Sequence, residues 1–277
     1  MAMADAYQVL LEAAIERLQE LKSRGISFVP VSSRTLAGLG AQRQTARAGG
    51  LPKPAPPGPP GGFAPSSSPG PEAKAAAFAQ LRSEVMPCVK CAHLAAARKN
   101  VVFGVGDTSA RLMFIGEAPG SDEDEQGEPF VGKAGQLLTR ILKAMGLSRQ
   151  SVFIANILKC RPDTPGQASG NRKPTPQEMA TCIPYLHRQI DLIGPQVIVA
   201  LGATALEGLL GKTDVGITRL RGHWRVFRGI PLMPTYHPAY LLRNQSQREK
   251  RKVWEDMLEV MAKLGLPISD KQRNYFL

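Results

Sequence analysis

Residues 112–135, LMFIGEAPGSDEDEQGEPFVGKAG, decide the reading of this chain. The apolar run Leu112-Met113-Phe114-Ile115 has the length and composition of a buried strand and stops at Gly116-Glu117-Ala118-Pro119-Gly120. A carboxylate-rich loop follows to Glu128, then the aromatic Phe130, then an amphipathic helix opening near Gly132. Ligand sites in α/β sheets lie beyond the carboxyl ends of the strands. Glu117 therefore stands where chemistry is done.

Three more apolar strands are expected, at Val152–Leu158, Gln196–Leu201 and Pro231–Tyr236, beside the first at Arg111–Gly116. Helical patterns separate them. Gly132–Met145 sets Leu137, Leu138, Ile141 and Leu142 on one face. Thr175-Pro176-Gln177-Glu178 joins a capping box to a proline at the first helical position and starts a helix to Ile193. Ala203–Leu210 and Ser246–Leu264 complete the set. Alternation of this kind predicts an α/β fold: a three-layer α/β/α sandwich around a short, mainly parallel, four-stranded sheet.

Outward from this core, residues 1–29 carry an isolated amphipathic helix. Asp5 caps it, and Tyr7, Leu11, Ala14, Leu18 and Leu21 form one stripe. The stripe offers a face for a partner protein, for weak self-association or for the main domain. From Leu51 to Pro71, 13 of 21 residues are Pro or Gly, which makes a tether rather than a core. The expected division is a helix at 1–29, a disordered linker at 30–74 and a folded domain at 75–277.

The 277 residues carry 35 Lys and Arg against 23 Asp and Glu, a net charge of +12 that suits a polyanionic partner. No apolar run reaches the roughly 18 residues of a membrane span. The N-terminus lacks the basic and apolar regions of a secretion signal, so a cytoplasmic location is expected. The four cysteines are Cys88, Cys91, Cys160 and Cys182, the first two spaced C-x2-C. Four thiolates suit zinc and a [4Fe–4S] cluster equally, and spacing does not choose between them.

Three of the four strand exits offer a distinctive group: Glu117 and Phe130 after the first, Asn156 before Lys159-Cys160-Arg161-Pro162 on the second, and His237-Pro238 after the fourth. Together with Gly116-Glu117-Ala118-Pro119-Gly120 and Glu128-Pro129-Phe130-Val131-Gly132, this set resembles the family 4, iron–sulfur uracil-DNA glycosylases over about Leu81 to Leu264. Glu117, in place of an apolar residue, separates this branch from the family 5 enzymes. The resemblance implies a [4Fe–4S] cluster on Cys88, Cys91, Cys160 and Cys182, and excision of uracil from DNA without strand cleavage. It also implies a monomer acting at the nucleoid.

Cutting the N-glycosidic bond of deoxyuridine sends positive charge to the sugar and negative charge to the base, which fixed opposite charges stabilise. Glu117 suits the sugar or its attacking water, and His237 suits uracil O2. An extruded base is read by hydrogen bonds and an aromatic face. Asn156 matches O4 and N3–H, Phe130 supplies the face, and Ala118 and Gly120 admit the base closely. The resemblance puts Glu123 in the pocket wall against the thymine methyl. Leu241, with Leu242 and Arg243, is expected to fill the hole left in the duplex. Lys159, Arg161, Arg172, Lys173, Arg243 and Arg248 are grouped as phosphate contacts. An inserted loop is expected at Asp163–Ser169. A non-catalytic iron–sulfur module that binds nucleic acid through a degenerate pocket is the rival reading.

Overall fold

The computed structural model describes residues 70–164 and 171–277, and Gln19. The expected N-terminal helix, the linker up to residue 69 and residues 165–169 of the expected insertion lie outside the described residues. In chain order the elements are α1 (Pro71–Val85), α2 (Ala92–Ala97), β1 (Val105–Gly106), β2 (Leu112–Gly116), α3 (Ser121–Gln126), α4 (Lys133–Ala144), β3 (Phe153–Asn156), α5 (Pro176–Ile193), β4 (Val197–Leu201), α6 (Ala203–Leu210), α7 (Ile217–Leu220), β5 (Arg225–Phe227), β6 (Ile230–Thr235), α8 (Pro238–Arg243), α9 (Gln247–Lys263) and α10 (Asp270–Arg273).

Among the described residues the sheet has six strands in the order β1-β3-β2-β4-β6-β5, not the four expected. The four expected strands form its parallel centre, and β1 and β5 add antiparallel edges. At two and three residues those edges are too short to leave an alternating pattern in the sequence. The acidic loop holds a helix, α3, closed by Gly127 in the left-handed region. Helix α1 opens at Pro71, four residues before the expected domain boundary, because proline at N1 lacks only an amide that the helix leaves unpaired.

Every residue of β2, β3 and β4 is buried, so these strands read as continuous apolar runs. Pleating divides them between two cores. Met113, Ile115, Phe153, Ala155, Ile198 and Ala200 pack with Leu186, Ile190 and Ile193 of α5 and Leu206 and Leu209 of α6. Leu112, Phe114, Ile154, Val197 and Val199 pack with Leu138 and Leu142 of α4 and with Trp254, Met257, Val260 and Met261 of α9. Helices thus cover both faces, as expected. Truncating a fully buried side chain such as Leu142 to alanine costs about 2–5 kcal/mol.

The topology fixes where a site can form. The chain leaves β2 for β3 on one side, then returns through α5 to β4 on the other side of β2. The reversal falls between β2 and β4, and the crevice there is lined by residues at and beyond the carboxyl ends of β2, β3 and β6.

Candidate active site

Gly116 pairs with Asn156 across β2 and β3, and two further bonds run past the strand ends: Ile157 N–H to Gly116 O (3.0 Å) and Leu158 N–H to Glu117 O (3.1 Å). The backbones of Glu117 and Asn156 are thereby held side by side. A Cβ at position 116 would meet Phe130 Cζ at 2.5 Å and overlap Asn156 Oδ1. Glycine is required because the ring and the amide converge on its Cα.

These groups line a cavity of about 460 Å3 with Ala118, Gly120, Ser121, Glu123, Ala134, Asn171, His237, Ala239 and Arg243. That volume lies in the range of small-molecule sites. The structure therefore brings Glu117, Ala118, Gly120, Glu123, Phe130, Asn156, His237 and Arg243 together. Asn156 is 2 % exposed, and among the described residues its Oδ1 is the buried side-chain oxygen or nitrogen without a hydrogen-bond partner. An unmade buried bond costs about 1–3 kcal/mol, so an acceptor left in this state at a cavity wall calls for an explanation.

His237 caps α8. Its Nδ1 accepts the Ala239 N–H at 3.1 Å, so the ring proton sits on Nε2. Burial, helped by the nearby Arg243 charge, holds its pKa down at about 4, so the ring is neutral at physiological pH. Its centroid lies 5.6 Å from that of Phe130. Behind it, Thr235 Oγ1 donates to the buried Asp256 (2.5 Å), which also takes Arg221.

Glu123 lines the cavity and has a bracing role besides, whereas Leu241, Lys159, Arg172 and Lys173 stand differently from the expectation. Both oxygens of Glu123 are engaged: Oε2 accepts Gly120 N–H (3.0 Å) and Oε1 accepts Val131 N–H (2.9 Å) and Gly132 N–H (3.0 Å). It tacks the Glu117 loop to the Phe130 loop. Leu241 is 5 % exposed and packed with Tyr236 and Val253, so it does not stand out as a wedge, whereas Arg243 is exposed. The apolar cluster formed with Val253 of α9 takes Leu241, as α8 turns it inward. Lys159 is not a phosphate contact: it is 1 % exposed, with Nζ donating to Asn156 O (3.0 Å) and Gln189 Oε1 (2.7 Å). Arg172 is spent on the buried Glu178, and Lys173 pairs with Glu207.

Asn171 is a site residue that the sequence reading missed. Its Nδ2 donates to Pro119 O (2.6 Å) while its Oδ1 accepts from Arg161 Nε (3.1 Å), bracing the wall of the cavity. A lone Asn in a polar loop carries no signal of this.

Away from the crevice, Cys88, Cys91, Cys160 and Cys182 line one cavity with Lys90, Arg98, Lys159 and Tyr185. Donors point at three sulfurs: Arg98 at Cys160 (3.0 Å), the Lys159 amide at Cys182 (3.3 Å) and the Tyr185 hydroxyl at Cys88 (3.4 Å). Burial raises the thiol pKa of Cys91 and Cys160, and pushes Cys182 up to about 11. Among the described residues no three His, Cys, Asp or Glu side chains converge closely enough to hold a single metal ion.

The family model of the uracil DNA glycosylase superfamily matches residues 103–258. A type-4 uracil-DNA glycosylase of Thermotoga maritima is 47 % identical over 181 residues, 64 % of this chain and 89 % of the relative. One of Sulfurisphaera tokodaii is 40 % identical over 206 residues, 72 % of this chain and 89 % of the relative. A type-5 enzyme of Thermus thermophilus is 29 % identical over 177 residues, 57 % of this chain and 76 % of the relative. With strand exits, crevice and comparisons in agreement, the chain belongs to the uracil-DNA glycosylase superfamily, in its type-4 branch.

Proposed function

We propose that this protein hydrolyses the N-glycosidic bond of deoxyuridine in DNA and releases uracil. The observation that carries the reading is the orphaned Oδ1 of Asn156 in a cavity walled by Phe130, Glu117 and His237. Uracil offers a donor at N3, which that oxygen accepts, and an acceptor at O4 for the same amide's N–H. Cytosine presents the reverse pair at these positions and leaves both groups opposed. Phe130 supplies the stacking face.

As the C1′–N1 bond lengthens, its electron pair leaves with uracil, and the negative charge spreads onto O2. His237 Nε2–H donates there. A neutral donor is enough, because the charge to be met at O2 is partial and the donor is already in place. Glu117 faces the sugar, stabilises the positive charge at C1′ and orients the water whose oxygen bonds to C1′. The water's proton goes to the carboxylate, and an abasic sugar remains. Among the described residues no lysine lines the cavity to form a Schiff base, so the strand is left uncut.

The net charge of +12 suits a DNA substrate. Leu242 and the exposed Arg243, rather than Leu241, are read as the groups that enter the vacated duplex. The four cysteines are read as ligands of a [4Fe–4S] cluster. All four sulfurs line one cavity, as a four-thiolate site requires, and the iron–sulfur assignment among such sites follows the type-4 relatives. When bound, the cluster supplies structure. Cys88 and Cys91 of the C-x2-C turn would hold it with Cys160 and with Cys182 on α5, and Lys159, whose amide donates to Cys182 and whose Nζ donates to the Asn156 carbonyl, links those ligands to the site. Residues 1–29 and 30–69 are read as a partner-docking helix and its tether, outside a monomeric catalytic domain. No helix among the described residues is long and apolar enough to cross a membrane, which suits work at the nucleoid.

Incubation of the purified protein with an oligonucleotide holding one labelled uracil tests the reading. Release of free uracil with the strand intact until alkali is added supports it. DNA binding without release would establish the non-catalytic module instead.

A further inference from the structure

Phe130 has φ +56°, a left-handed backbone that a bulky residue rarely adopts. Such a conformation persists only where its surroundings impose it. Two elements do so here. Glu123 holds the next two amides, Val131 and Gly132, from the cavity side. Arg149, in the turn between α4 and β3, grips the other side: Nη1 donates to Phe130 O (2.9 Å) and Nη2 to Pro129 O (2.6 Å). Its fork spans two consecutive carbonyls, a geometry a lysine ammonium does not reproduce. The Phe130 carbonyl also abuts Gly135 of α4, where a Cβ would overlap it, so the loop has no slack in that direction.

We propose that Arg149 is a positioning residue for uracil excision, holding the Phe130 ring in its stacking pose before the base arrives. Arg149 is absent from the residues lining the cavity, so it acts through the ring and not on the substrate. The proposal rests on the reading of Phe130 as the stacking face. A pre-formed platform binds ground state and transition state alike, so its loss falls on binding more than on the chemical step.

The test uses the full chain with its cluster, as wild type, Arg149→Gln, Arg149→Lys, Phe130→Ala and the Phe130→Ala/Arg149→Gln double variant. The readouts are KM and kcat on a uracil oligonucleotide, inhibition by free uracil, and affinity for the same oligonucleotide without uracil. Arg149→Gln should raise KM and the uracil inhibition constant roughly tenfold or more, with a smaller change in kcat, since two charge-assisted bonds are lost. Arg149→Lys should recover part of this. Uracil-free DNA should bind as before, which separates Arg149 from a phosphate contact. In the Phe130→Ala background Arg149→Gln should add nothing.

Unchanged uracil inhibition in both Arg149 variants, beside a weakened Phe130→Ala, would overturn the positioning role and leave the stacking face standing. Additive losses in the double variant, or a drop in thermal stability alone, would also overturn it. If Phe130→Ala itself binds uracil normally, the stacking face falls and the proposal falls with it. Loss of uracil release from the wild type would instead defeat the underlying function.

Discussion

The neutrality of His237 is the most exposed consequence of this site. Burial and the Arg243 charge take its pKa from 6.5 to about 4. At about pH 5.5 an imidazole with a pKa near 4 is about 3 % protonated, whereas an unperturbed one is about 90 % protonated. The folded pKa lies below the unfolded one, so the neutral ring contributes stability fully above about 6.5, and that contribution is lost as pH falls toward about 4. Over that window the linkage is worth about 3 kcal/mol. The perturbation is a pH titration, followed by NMR of protein labelled in its histidine rings, with His237→Asn to assign the resonance. The ring should keep its proton on Nε2, with Nδ1 unprotonated, down to about pH 5. The thermal midpoint of the wild type should fall more steeply between about pH 7 and 5 than that of His237→Asn. Half-protonation near 6.5, or a proton on Nδ1 at neutral pH, would refute the argument, because the Ala239 N–H would then have no acceptor.

Other consequences are more direct. Gly116→Ala should lower kcat/KM by roughly 100-fold or more with the circular dichroism unchanged, since a methyl group there meets the ring and amide proposed to read the base. Asn156→Leu removes the orphaned acceptor and should cost about 2–4 kcal/mol in transition-state binding, read as kcat/KM on a uracil oligonucleotide. Cys160→Ala should abolish absorbance near 400 nm in anaerobic preparations and lower the melting temperature. Uracil release should persist after deletion of residues 1–69, whereas a cut that also removes Pro71–Lys74 takes the first turn of α1 and should lower thermal stability.

The sequence made the parallel centre of the sheet legible because strands buried on both faces must be continuously apolar, as β2, β3 and β4 are. The capping box before α5 was legible for a similar reason: one side chain and one proline determine a helix start. Edge strands β1 and β5 were not, being shorter than one full alternation. In the site, Glu117, Phe130, Asn156 and His237 could be found since strand ends and turns announce themselves. What Glu123, Lys159, Arg149 and Asn171 do was hidden, because their partners are mostly backbone atoms at positions that only the fold brings near. Leu241 shows the opposite failure: two leucines in a polar segment suggest a wedge, and the helix phase that buries the first of them is settled only by packing on Val253.

A structure of the protein with free uracil tests the central claim most directly. Uracil should lie on the Phe130 ring, with N3 about 2.9 Å from Asn156 Oδ1 and O2 facing His237 Nε2. Uracil bound elsewhere, or in this cavity with Asn156 Oδ1 still lacking a donor, would contradict the account.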